Sequence, residues 1–194
     1  MRRAGLLLPL VVAGLVSAAE PRGGDWLDAK AVAGWNQAGG EIPKAPSTDA
    51  DPLGKGRCKD GAVPAISPEE KRVVAAGWSL LPRTQRLGDT ALVLGSAGGD
   101  GMCRPLNIQG FLFVRGWFAG TVAPRPVDSR VDGVFEEAKL LGKGSVTVSF
   151  RRYTDADPLC CPSRASDVVY RVEAGREGPV LLPVSVTTRK LPQE

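Results

Sequence analysis

The apolar positions of the chain fall into three textures. Leu6 to Val16 reads LLLPLVVAGLV, a near-continuous apolar run behind Arg2 and Arg3. Residues 20–66 are rich in Gly, Pro, Ala and Asp, and the main large apolar side chains before Ile42 are Trp26, Leu27, Val32 and Trp35. From residue 67 onward come one short helical pattern and then many short apolar runs cut by Gly, Pro and Asp.

The helical pattern opens at Ser67-Pro68-Glu69-Glu70. Ser67 suits an N-cap, Pro68 the first turn, and Glu70 completes a capping box, while Gly77 stops the helix at about residue 76. Val73, Val74 and Ala76 supply its apolar contacts. Strands are predicted at Trp78–Leu81, Thr90–Ser96, Ile108–Arg115, Trp117–Val122, Ser145–Tyr153, Asp167–Glu173 and Pro179–Thr187. The runs from Ser145 and Asp167 alternate apolar with polar residues and so should be half-exposed. Phe111-Leu112-Phe113-Val114 is apolar on both faces, which predicts a central strand with the helix over one face and the arm over part of the other. Pro183 suits an edge strand. The fold class expected is α+β: one antiparallel sheet of about six to seven strands, one main packed helix and an N-terminal arm. The division expected is 1–19 leader, 20–66 Pro/Gly-rich arm and 67–190 a single α+β domain.

The apolar run at Leu6–Val16 is too short for a hydrocarbon core of about 30 Å. Charged start, apolar run and the small residues Ser17-Ala18-Ala19 come in the order of a signal peptide removed on export. Localisation is therefore expected to be periplasmic or secreted, with no stable membrane span in the mature chain. Net charge is +4, and losing Arg2 and Arg3 leaves 23 basic against 21 acidic residues, or +2. So small an excess gives no field for nucleic acid.

An exported chain with four cysteines favours disulfides: Cys58, Cys103, Cys160 and Cys161. Joining the neighbours Cys160 and Cys161 closes a small ring and is discounted. That leaves Cys58 and Cys103 each paired with one of Cys160 and Cys161, in either order.

Candidate chemistry is sparse. The sequence holds no histidine, which removes Ser-His-Asp and Cys-His catalysis and histidine-ligated metals. No serine is followed three places on by lysine. Gly95-Ser96-Ala97-Gly98-Gly99-Asp100-Gly101 lacks the ending of a phosphate loop and reads as a flexible turn. Asp155 and Asp157 form the one acidic cluster with some shape; two carboxylates suit acid–base work, and a turn into Cys160 suits them equally. Arg152 and Arg164, with Arg151, Arg125 and Arg130, are the candidates for an anion site. Trp78 and Trp117 sit in apolar runs and are expected in the core rather than on a glycan platform. Neither metal nor cofactor is expected.

The chain resembles the LppP/LprE family of bacterial envelope lipoproteins over residues 78–186. The resemblance rests on Gly120-Thr121 after an aromatic-rich strand and on Asp155-Ala156-Asp157-Pro158-Leu159-Cys160-Cys161-Pro162-Ser163. Val169-Tyr170-Arg171 adds to it, and Cys103 stands where such proteins carry an upstream cysteine. It implies envelope residence and no catalytic residues. Those proteins are lipidated, whereas no lipobox cysteine follows the apolar run here, so membrane attachment does not carry over. The function expected is non-catalytic: an exported domain that binds an envelope partner or small ligand, or serves structurally. The alternative is a hydrolase or glycan-acting enzyme using Asp155 and Asp157.

Overall fold

The computed structural model describes residues 25–29, 33–48, 52–82, 84–128, 134–142, 144–158 and 160–192. The expected leader at 1–19 and Arg130 lie outside the described residues.

The helix α1 spans Pro68–Ala75, and both halves of its capping box form. Ser67 Oγ accepts from the Glu70 amide at 3.3 Å, and the Glu70 carboxylate accepts from the Ser67 amide at 2.8 Å. These bonds satisfy helix-end donors that have no partner within the helix. Val73 is fully buried, whereas Val74 faces solvent rather than the core.

Among the described residues nine strands follow, in two antiparallel sheets rather than one. The first sheet holds β1 (Ser79–Leu80), β2 (Gln85–Leu87), β3 (Thr90–Gly99), β4 (Pro105–Val114) and β5 (Trp117–Thr121). Its order is β1-β3-β4-β5, with β2 also paired to β3. The second is a meander of β6 (Val134–Gly142), β7 (Ser145–Arg152), β8 (Arg164–Gly175) and β9 (Gly178–Lys190).

Side-chain alternation along β3 and β4 divides the core in two. Leu92 and Leu112 point toward the second sheet and pack with Val146, Val148, Phe150, Val168, Tyr170 and Leu181. Ala91, Val93, Phe111 and Phe113 point the other way and pack with Val73 of the helix and Trp78. The doubly apolar β4 is central, but its second face is covered by a whole sheet rather than by the arm. The arm contributes to both layers. Ile42 and Ala45 join the helix layer, and the Trp78 indole donates to the Pro43 carbonyl at 2.8 Å. Trp26 and Trp35 meet edge-on at 5.0 Å and reach Phe150 and Tyr170 respectively.

Pro183 sits on β9, the edge of the meander, at a bulge opposite Val169 and Tyr170. The other edge, β6, is met by a side chain: Gln85 Oε1 accepts from the Leu140 amide at 2.8 Å, and Gln85 Nε2 donates to the Ala138 carbonyl at 2.5 Å.

The glycine-rich run is not a turn between strands. Gly95 through Gly99 belong to β3, and the reversal comes afterwards, organised by Asp100. Its carboxylate accepts from the amides of Met102 and Arg104 at 2.9 and 3.0 Å and from Arg104 Nε at 2.7 Å. The Arg104 guanidinium and these amides hold the acid well below its ordinary range.

Sulfur pairing differs from the long-range scheme drawn from spacing. Cys58 bonds Cys103, and Cys160 bonds its neighbour Cys161. The topology explains this. Cys103 sits in the reversal between β3 and β4, where Cys58 packs beside Leu53 and Leu81. Cys160 and Cys161 lie in the connection from β7 to β8, which belongs to the other sheet.

Candidate functional site

The sequence candidates divide into two groups at the β7–β8 end. Asp157 is committed to its own loop. Its Oδ2 accepts from the Thr154 amide at 2.7 Å, the Ser163 amide at 2.9 Å and the Ser163 hydroxyl at 2.8 Å. These bonds, led by that from Thr154, bring its pKa down to about 2. A carboxylate so held is ionised at neutral pH and its oxygen is occupied, which suits a loop closure and not a general acid. Asp155 is exposed on the same turn.

Arg152 and Arg164 do come together. They are register partners on β7 and β8, with Lys190 of β9 next in the row. The Arg152 side chain is only 5% exposed, and its guanidinium grips Asp28 of the arm through both terminal nitrogens. Arg164 Nη1 stands 3.9 Å from the same carboxylate. The bonded Arg152 guanidinium holds the Asp28 carboxyl below its usual range. The pair thus anchors the arm by a charge-assisted bidentate contact. Arg151 turns outward to Glu136 at 2.6 Å, and Arg125 has no contact with this cluster among the described residues.

The other end of the molecule carries the candidate that sequence reasoning missed. Four hairpin turns meet there: Gly88-Asp89, Arg115-Gly116, the β6–β7 turn at Gly144, and the β8–β9 turn before Gly178. Hydrogen bonds brace three of them. The Arg115 amide donates to the Asp89 carbonyl at 2.7 Å, and Arg115 Nε meets the Asp89 carboxylate at 3.0 Å. The Val172 amide donates to Gly144 at 2.7 Å, and Arg72 of the helix donates to the Gly116 carbonyl at 2.7 Å. Between the turns lies a cleft of about 450 Å³, lined by Asp89, Arg115, Trp117, Gly144, Val172 and Gly178 among others.

Trp117 is 63% exposed on its rim, against the expectation of a core residue. Trp78, read by the same reasoning, is buried. The difference lies in position. Trp78 precedes β1 under the helix, whereas Trp117 opens β5 directly after the tight turn and clears both layers. The usable signal was its place next to Arg115-Gly116, where a strand emerges at the end of the sheet.

A further feature ties the arm to the β5 end. Asn36 Nδ2 donates to the carbonyls of Thr121 on β5 and Leu181 on β9, both at 2.9 Å, and its Oδ1 accepts from the Thr121 amide at 2.9 Å. One amide side chain therefore stitches the two sheets together. Trp35 Nε1 adds a bond to the Thr121 hydroxyl at 3.1 Å.

Residues 84–175 match the family model described as LppP/LprE lipoprotein. That segment belongs to the LppP/LprE family. It takes in β2 through β8, including Trp117 and three of the four turns in full, while the arm, the helix and β9 lie outside it. The LppP/LprE assignment goes with association with the cell envelope. The residues that carry the resemblance work structurally here: Gly120-Thr121 receives the arm, Asp157 and Ser163 close a loop, and Tyr170 is buried with its hydroxyl donating to the Val122 carbonyl of the facing layer. No curated protein and no solved structure matches the chain. Among the described residues no helix is long and apolar enough to cross a membrane.

Proposed function

We propose that this chain is an exported, non-catalytic binding domain, periplasmic or secreted, whose ligand site is the cleft between the hairpin turns. In this reading residues 1–19 are the removed leader and residues 20–66 an arm that completes the single domain at 67–190. The observation that carries it is Trp117, a large aromatic side chain held in solvent at the mouth of a cleft with fixed walls. Binding sites pair aromatic lining with a few placed polar groups, and about 300–1,000 Å³ is their usual size. Turns fastened to a rigid sandwich are a common carrier of recognition residues. Asp157, by contrast, has its oxygen filled by its own loop, which leaves the hydrolase reading without an acid–base pair.

The test is fluorine NMR on the mature chain labelled with 5-fluorotryptophan, with Trp117→Phe to assign the resonance. Soluble saccharides, short peptides and small aromatic compounds serve as probes. The reading expects at least one probe to move the Trp117 signal while the buried Trp78 signal stays still. If every probe leaves Trp117 unmoved, the cleft is not a binding site.

A further inference from the structure

Trp117 does not border one cleft only. It stands between the turn-end cleft and a second one of about 460 Å³, walled by Gly40, Glu41, Ile42 and Lys44 of the arm and by Arg72 of the helix. This second cleft shares Gly40, Glu41 and Phe118 with a third, of about 280 Å³, that runs on to Gln37, Asn36 and Thr121. The turn-end cleft meets the second one at Trp117 alone, so the three adjoin as one track with the exposed indole as a ridge across it.

We infer that this track takes an extended glycan strand, an inference that rests on the binding role proposed above. Three lines converge. The length of the track, several adjoining clefts each open to solvent, suits a polymer laid across the surface and not one enclosed small molecule. An exposed indole offers a flat apolar plate, amphipathic at its rim, that matches the C–H face of a sugar ring. The polar lining is nearly balanced in charge: Asp89 pairs with Arg115, and Glu41 stands with Lys44 and Arg72, so it offers hydrogen bonds to hydroxyls with little net field.

A peptide that bound by adding a strand would need free backbone edges to pair with. At the turn end the backbone groups of Asp89, Arg115, Gly116, Gly144 and Val172 already bond one another or Arg72. The side chains of Gln37, Glu41, Lys44, Arg72 and Trp117 are what the track offers to a polyhydroxyl chain. The arm supplies one wall, so the complete track exists only when the arm is docked.

The experiment is calorimetric titration of the mature full chain with N-acetylglucosamine, chitotriose and chitohexaose. Affinity should rise about tenfold or more from monosaccharide to hexamer. Trp117→Ala, at an exposed position, should cost about tenfold with every saccharide that binds. Gln37→Ala, exposed at the far cleft, should weaken the hexamer and leave the monosaccharide unchanged. Equal affinity for all lengths would confine the ligand to one cleft and overturn the extended strand, with the binding role intact. Binding of a proline-rich peptide through Trp117, with no saccharide bound, would overturn the glycan and again leave that role standing. Failure of every probe at Trp117 would remove both.

Discussion

The side chain of Asn36 occupies the space that a Cβ on Gly120 would need. A Cβ built there would lie 2.2 Å from Asn36 Cγ, and Gly120 has φ +142°, a backbone conformation that other residues rarely adopt. The arm approaches β5 this closely because glycine leaves room for the amide that joins β5 to β9.

Gly120→Ala should therefore destabilise the fold by about 2–4 kcal/mol, from overpacking and backbone strain together. Asn36→Ala should cost about 1–3 kcal/mol, since it takes their partner from the Thr121 amide and the Leu181 carbonyl, while the Thr121 carbonyl keeps its bond from Trp35 Nε1. The two should not add. Gly120→Ala ought to cost clearly less in the Asn36→Ala background, where the clash is gone. Urea denaturation of the four chains measures this, and strict additivity would contradict the contact.

Acid sensitivity should centre in part on Asp157. Its folded pKa of about 2 lies below the ordinary value of 3.8. Its contribution to stability is complete above about pH 4 and is lost as pH falls toward 2. Asp157→Asn removes that titration. The variant should lose stability less steeply than the parent between pH 4 and 2, by about one proton in the slope of unfolding free energy against pH. Urea midpoints across that range check it; parallel curves would show the carboxylate to be unheld.

The two disulfides should differ sharply in worth. Cys58–Cys103 closes a sequence separation of 45 residues, for which the chain-entropy model gives about 4 kcal/mol. Cys160–Cys161 spans a separation of 1 and restrains almost nothing in the unfolded chain. Replacing Cys58 and Cys103 by serine should lower the melting temperature strongly, and replacing Cys160 and Cys161 should change it by little. Non-reducing peptide maps should show the same pairing; a peptide joining Cys58 or Cys103 to the 160–161 segment would refute it.

The arm's hold on Arg152 should be asymmetric. Asp28→Ala takes the carboxylate from a buried guanidinium that keeps its bond to the Ser166 hydroxyl, and should cost about 1–3 kcal/mol, lessened because Asp28 itself is half exposed. Arg152→Met leaves Asp28 at the surface, free to take water, and should cost less. Asp28→Asn with Arg152→Met should lie close to the latter alone. Thermal unfolding of the three variants decides this.

Much of the fold was legible where local chemistry dictates it. The Ser67–Glu70 capping box fixed the helix start, and period-two alternation marked β7 and β8, because both signals act within a few residues. The strand β6 was not legible: Glu136, Glu137 and Lys139 interrupt its apolar positions, as suits an outer strand with one wet face. The three residues of β2 were too short to carry a pattern. That the strands form two sheets follows from pairings far apart in sequence, which alternation does not encode. The candidate site was legible only in part. Arg152 and Arg164 were picked out and do meet, yet around Asp28, which came from the segment read as an arm and was not singled out. The cleft at Trp117 is assembled by four separate turns, so no contiguous motif announces it.

The pairing of Gln85 with the outer strand β6 has a consequence for the life of the chain in a crowded compartment. An uncovered strand margin is a template on which another polypeptide can nucleate ordered aggregates. By spending one amide on the Ala138 and Leu140 backbone, the protein blocks the middle of that margin with a plug too short to be copied further. One glutamine of the three-residue strand β2 thus guards the outer margin of the second sheet.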